Sequence, residues 1–459
     1  MPQHRLQISA ESLPSSQTMH LATVDWLLGG AFFLCPASKW LLIPGTLSWS
    51  DAFFLAAALV HLTYAVLRGG SLRLPQFALL SAALLAIACL GSYINNSNPL
   101  NLINCLKFVA SLLVVPVITM WCTGGRQKTV DRMLWFWLAG ACLSALIGVL
   151  TKYGIPVFDL SDPYAVAIRR VSGLTYHPNV LAYSCALLIP VATYLAVTTS
   201  TLTQRWICIV AIVLLADAIL VSGSRGSVLA VMIGMMVWLP NPYKKWIHRR
   251  ELFVLVTGLI SIIAIVFFLL LSDKPFADSS NALSRLFGSV SNIQQSNDAR
   301  RAASQFAYNG FSAAPIFGQG FDRILFAHNS GLQVLYSGGL VSFAGALIWW
   351  GGLGIFWWRL RQLASRYGTH QEVMLLQMFQ SIALVAIVNG AVEPILTNRN
   401  GYIAFGLMLG LRYSPRLTQV IRNSYFSDGW MNRSKECPQE SVVAMANSVA
   451  GSVQNSRSI

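Results

Sequence analysis

The chain has 459 residues, of which 55% are hydrophobic and only 11% charged, and its formal net charge is +15. Soluble domains carry roughly 25% charged residues, so this composition, with a mean hydropathy of +0.57, excludes a large water-soluble core and points to lipid. The basic residues sit in short loops between apolar blocks of about 17–25 residues, which is bilayer length and fits the positive-inside rule. No aromatic–basic platform accompanies the charge, so no nucleic-acid partner is expected.

Residues 1–23 are polar and mixed and lack the apolar core and small-residue cleavage site of a signal peptide. They read as a cytoplasmic N-terminal segment. Apolar blocks then predict spans at 24–44, 51–67, 75–94, 103–122, 133–152, 174–198, 206–222, 226–240, 252–271, 332–358, 373–391 and 401–412. The fold class is therefore all-α and polytopic, with about twelve transmembrane helices in a membrane domain over 24–423. The Ser/Asn-rich remainder, 424–459, reads as a disordered cytoplasmic tail.

Alternate loops hold Arg68 and Arg73, then Arg126, Lys128 and Arg132, then Arg205, then Lys244, Lys245, Arg249 and Arg250, then Arg359, Arg361 and Arg366. This side is assigned to the cytoplasm, with both termini inside. The opposite side is poor in lysine, with only Lys152 and Lys274, but carries Arg169, Arg170, Arg225, Arg285, Arg300, Arg301, Arg323 and Arg399. Arginine offers a rigid fork for phosphate and carboxylate, so this face is a candidate anion site; the alternative is contact with lipid headgroups. On the same side, residues 272–331 form a loop of about sixty residues, too long for a mere connector. Asn297–Phe311 has helical composition, and Pro315, Gly318 and Gly320 break the chain after it. The loop is expected to pack as a lid over a cavity.

Seven cysteines lie within or beside apolar blocks, Cys437 lies in the tail, and no CxxC pair occurs. Neither a zinc site nor a disulfide framework is expected, and the cysteines read as small buried hydrophobes. The external acids, Asp159, Asp162, Asp273, Asp278, Asp298, Asp322 and Glu393, show no ligand-like spacing, so no bound metal is expected.

Three motifs carry chemistry. Arg169–Asn179 enters the sixth span, where Pro178 and Asn179 suit a helix start and the Arg169–Arg170 pair beside a helix N-terminus favours an anion. A snorkelling Arg pair on a capped helix reads equally well, and His177 reads as structural. Ser222–Gly226 is a tight external turn in which Ser224 can cap the next helix. Arg225 then stands at the positive end of that helix against dipole preference, which suggests an anionic partner. His328–Asn329 ends the long loop just before the tenth span; a neutral imidazole there can take a proton from a hydroxyl, and Asn329 can cap the helix. The segment Pro315–Gly320 reads as a turn rather than a phosphate loop.

The stretches 170–182, 222–226 and 315–339, in this order around a long external loop, resemble the O-antigen ligase and polymerase superfamily. The resemblance implies an inverting glycosyltransferase, without cofactor, on the periplasmic face of a bacterial inner membrane. Its donor is a glycan on undecaprenyl pyrophosphate, and its acceptor is lipid A-core or another lipid-linked repeat. The family's arginines fall on Arg225 and on Arg300 or Arg301, and its histidine on His328. Fixed cations would stabilise the pyrophosphate leaving group without a metal, with His328 as base. Arg169, Arg170, Arg285 and Asn329 are candidate substrate-binding residues. A secondary transporter or flippase is the rival reading, against which stands the scarcity of ionisable residues in the spans, Lys107 being the main exception.

Overall fold

The computed structural model describes residues 15–43, 47–67, 74–153, 155, 170–238, 290–322, 328–393 and 398–411. Helices dominate: α1 (Ser15–Leu34), α2 (Trp49–Leu67), α3 (Gln76–Asn95), α4 (Pro99–Val109), α5 (Val115–Thr123), α6 (Gln127–Lys152), α7 (Pro178–Thr198), α8 (Leu202–Ser222), α9 (Arg225–Met235), α10 (Val290–Ala313), α11 (Ser330–Tyr367), α12 (His370–Val392) and α13 (Asn400–Gly410). A short antiparallel hairpin, β1 (Leu41–Ile43) with β2 (Leu47–Ser48), joins α1 to α2.

Among the described residues, eight helical segments are long and apolar enough to cross a membrane: α2, α3, α4 with α5, α6, α7, α8, α11 and α12. Shorter apolar helices cover His20–Leu34 and Arg225–Trp238. The protein is thus a multi-pass α-helical membrane protein. The expected ninth span, 252–271, and the tail lie outside the described residues.

Local sequence explains where the elements depart from expectation. The first helix ends at Leu34, ten residues early, because Pro36 cannot continue it and the chain turns into the hairpin. A π-helical turn, Ala110–Val114, links α4 to α5 just ahead of Pro116, whose missing N–H breaks the ordinary ladder. Helix α11 runs through Arg359, Arg361 and Arg366, well past the expected end, since arginines extend a helix cheaply beyond the apolar span.

The core centres on α7, 94% buried over its span, which packs against α6, α8, α9, α12 and α13. At one end of the bundle, Arg126 and Arg132 both pair at 2.9 Å with Asp25, which they neutralise. Cysteines 35, 122, 185 and 208 are buried as small hydrophobes. The expectation of no disulfide is corrected: Cys89 and Cys105 are bonded, stitching α3 to α4. That pairing is set by a helical hairpin, and no spacing motif announces it.

The loop after α10 is built into the bundle. Helix α11 departs from helical geometry at Gly339, with φ of 64°. Carbonyls and amides freed there bond to the segment 315–320: Gln319 N to Tyr336 O at 2.7 Å, Gly320 N to Ser337 O at 3.0 Å, and Leu340 N to Pro315 O at 2.8 Å. From the other side, Asn95 and Asn96 donate to the carbonyls of Gly318 and Gln319. Gly318 and Gly320 adopt positive φ, as the turn reading requires. Helix α10 is thereby anchored against α11, where Ala307 packs with Tyr336.

Candidate functional site

The start of α7, the loop helix α10, the start of α11 and the end of α12 meet on one carboxylate. Glu393 caps the C-terminus of α12 and is 9% exposed. Its Oε1 accepts from Arg300 Nη2 at 2.6 Å and from Asn179 Nδ2 at 2.7 Å. Its Oε2 lies 3.5 Å from His328 Nδ1, and its backbone carbonyl accepts from Ser330 Oγ at 3.0 Å. Burial pushes this carboxyl up, but the His328 imidazole, the Arg300 guanidinium and the Asn179 amide outweigh it and hold the carboxyl below its ordinary value.

Each partner is fixed by its own element. Pro178 opens α7 as expected, and His177 caps it, its Nδ1 accepting from Asn179 N at 3.2 Å, which fits its structural reading. Asn179 is then bridged to Arg170, whose Nη2 donates to Asn179 Oδ1 at 2.5 Å while its Nε donates to Ser222 O at 2.6 Å. Arg170 therefore ties α7 to the Ser222–Gly226 turn. Asn329 caps α11 as expected, its Oδ1 accepting from Leu332 N at 2.9 Å, and its amide reaches Ala391 O at 3.1 Å.

His328 is the lone non-glycine residue with positive φ, 48°, among the described residues. Such a backbone costs roughly 1–3 kcal/mol and persists where surroundings over-determine it. Here the Asn329 cap follows it and Glu393 faces its ring. Nδ1 faces the carboxylate at 3.5 Å without closing a hydrogen bond, which puts Nε2 on the side of the ring away from Glu393.

Arg225 is the first residue of α9, so it stands at the positive helix end. The expected Ser224 cap takes another form: Ser224 holds the N-cap position, but its hydroxyl meets Ser227 Oγ at 3.1 Å, and Ser227 donates to Asn389 Oδ1 at 2.9 Å. The hydroxyl chain binds α9 to α12 and leaves the first amides of α9 without a side-chain cap. Arg225 Nη2 reaches Asn297 Oδ1 at 3.4 Å, and the Arg225 and Arg300 charges lie near enough to repel each other. Arg225 at the uncapped start of α9, with the Arg300 charge near it, is chemically suited to an anion.

The structure separates the two loop-helix arginines. Arg300 faces Glu393; Arg301 is 84% exposed and reaches only Asp298, at 4.0 Å. Arg169 and Arg285 lie outside the described residues. Sequence reading named Asn179 only as a helix start and Glu393 only as an external acid, and gave neither a role in the site. The available signal was an acid standing alone at the end of an apolar block.

Residues 210–347 match the family model described as O-antigen ligase. The matched stretch runs from within α8 to the first half of α11. It carries Arg225, Arg300 and His328 and leaves Arg170, Asn179 and Glu393 outside. No curated protein matches the chain.

Proposed function

We propose, on the support of the match of residues 210–347 to the O-antigen ligase family model, that the chain is a member of that superfamily and that its part in polysaccharide assembly is glycan transfer from a polyprenyl pyrophosphate to a sugar hydroxyl. The observation that carries this reading is the Glu393 hub, which holds a cation for the leaving group and a base for the nucleophile on one buried carboxylate.

In this reading Arg225, Arg300 and the first amides of α9 bind the pyrophosphate. As the bond from sugar C1 to the phosphate oxygen breaks, its electron pair leaves with the pyrophosphate, and the guanidiniums offset the growing charge. The acceptor oxygen bonds to C1 from the opposite side, inverting it, and gives its proton to His328 Nε2. Glu393 orients the imidazole through Nδ1 and stabilises it when charged. Arg170, bonded to Ser222 and Asn179, keeps the turn and the hub in register. With guanidiniums in this role the reaction needs no metal. The active face is periplasmic and the membrane is the bacterial inner membrane; the polyprenyl carrier is of the undecaprenyl type, and the acceptor is lipid A-core or a second lipid-linked repeat.

The test is glycan transfer by the purified protein in lipid vesicles, given lipid-linked donor and acceptor, in excess chelator. Transfer to the acceptor with release of polyprenyl pyrophosphate is expected. Activity lost to chelator and restored by magnesium or manganese would overturn the arginine-for-metal argument. A reporter fused at Gln294 that signals cytoplasm would overturn the periplasmic assignment.

A further inference from the structure

Helix α12 has two opposed faces near its C-terminus. Ser381, Val385, Asn389 and Val392 turn toward α9: Ser381 Oγ donates to Gly234 O at 2.7 Å, Asn389 accepts from Ser227, and the two valines abut Gly234 and Gly226. At 3.6 residues per turn, Ala386, Ile387, Gly390 and Ala391 fall on the far side. There they form one wall of a cavity of about 340 Å³, closed by Asn329, Ser330 and Trp350 of α11, Tyr183 of α7 and Tyr402 of α13.

Two features mark this cavity as a site for a polar ligand. Tyr183 and Tyr402 are 1% and 5% exposed, yet neither hydroxyl has a hydrogen-bond partner among the described residues. Both side chains line the same space, where a ligand could pair with either hydroxyl as donor or acceptor. No charged residue lines it, and one of its lining residues, Ile387, is 59% exposed on the outer surface of the bundle.

We infer that this cavity seats the sugar ring of the acceptor, an assignment that rests on the transferase reading above. Displacement with inversion needs the attacking hydroxyl and the leaving phosphate on opposite sides of C1. Arg225 stands on the α9 side of α12, the cavity lies on the other side, and Glu393 and His328 sit at the helix end between them. Aromatic rings with polar tips match a pyranose, which has apolar faces and a hydroxyl edge. A prenyl chain would leave both phenols unpaired, and a phosphate would find no cation. Entry beside the exposed Ile387 suits an acceptor whose own anchor stays in the bilayer.

The experiment replaces Tyr183→Phe and Tyr402→Phe, singly and together, in the full chain in nanodiscs. Ring volume is kept and no internal hydrogen bond is lost. The KM for acceptor should rise about three- to tenfold per hydroxyl, the range for a neutral hydrogen bond, while kcat at saturating acceptor and the donor KM stay within about twofold. Gly390→Leu, which fills the cavity, should raise the acceptor KM further with the donor KM unchanged. An unchanged acceptor KM, or a raised donor KM in its place, would overturn the assignment. A second arm needs no turnover: the repeat oligosaccharide released by mild acid from the producing cell's polysaccharide is titrated onto wild type and double variant, with saturation-transfer NMR as readout. Contact that weakens in the double variant supports the site even if no transfer is seen, in which case the transferase reading alone fails. Equal contact in both, or none in wild type, overturns the site.

Discussion

Replacing Glu393 with Gln isolates what the buried carboxylate does. The amide keeps the shape and one acceptor oxygen, so the Asn179 bond at 2.7 Å can persist. The negative charge opposite Arg300 at 2.6 Å and opposite His328 at 3.5 Å is removed. A charge-assisted hydrogen bond contributes roughly 1.5–3 kcal/mol. The Arg300 side chain is 33% exposed, so solvent screening puts its share at the low end, about 1.5 kcal/mol. A similar loss in orienting and charging the imidazole brings the total to about 3 kcal/mol, or about a hundredfold in kcat. The assay is the initial rate of glycan transfer by purified protein in vesicles, with donor and acceptor varied separately. Glu393→Asp should recover part of the rate, because the charge returns at a longer reach. A Gln variant turning over within about threefold of wild type would refute the hub as a working part of the site. Acid provides an independent check. The carboxyl is held below its ordinary value, so its stabilising contribution is complete above the unfolded glutamate pKa of about 4.3 and is lost as pH falls through the lowered value. Wild type should therefore lose melting temperature in that acid range more steeply than Glu393→Gln; parallel curves would contradict the charge assignment.

Other perturbations follow from the same geometry. Arg300→Ala should cost at least ~1–3 kcal/mol of transition-state binding, whereas Arg301→Ala, removing an exposed side chain, should leave kcat/KM near wild type; equal losses would contradict the separation of the two. Arg225→Lys keeps the charge but loses the fork, and a similar drop in kcat/KM is expected; wild-type turnover in Arg225→Ala would make that residue structural only. His328→Ala should lower kcat by about 10²–10⁴-fold with little change in donor KM, the size of a positioned base; a mainly weakened donor affinity would make His328 a pyrophosphate donor group. Cys89→Ser opens a loop of 16 residues and should cost about 3 kcal/mol of stability, read as a lower melting temperature that matches reduced wild type.

The multi-pass helical architecture was legible in the sequence because lipid imposes a strong constraint, apolar runs of bilayer length. Arg225, the Arg300–Arg301 pair and His328 could be named as candidates because each stands at a local landmark, a turn, a loop helix or a helix start. Glu393 could not, since its importance is wholly tertiary: it lies 65 residues beyond His328 and 214 beyond Asn179, and only the bundle brings them together. Adjacent arginines look alike in one dimension, yet a helix turns them to different faces, so Arg300 meets the carboxylate and Arg301 meets water. Ser224 was recognisable as a helix start, but its hydroxyl bonds across to a neighbour's network, a choice made by α12 rather than by the turn.

The break in α11 at Gly339 makes the loop segment and the span a single register-locked unit. The amides of 319 and 320 and the carbonyls of 315 and 316 complete the ladder that α11 leaves open, and a Cβ at Gly339 would sit 2.2 Å from Ile316 O. Insertion or deletion of one residue within 315–320 or within 336–341 would therefore misplace these bonds together and shift α10, with Arg300 on it, relative to the carboxylate. Length variation in this lineage should be purged from those two short stretches and accumulate elsewhere, so their lengths are a ruler by which descendants that keep the site can be told from those that have lost it.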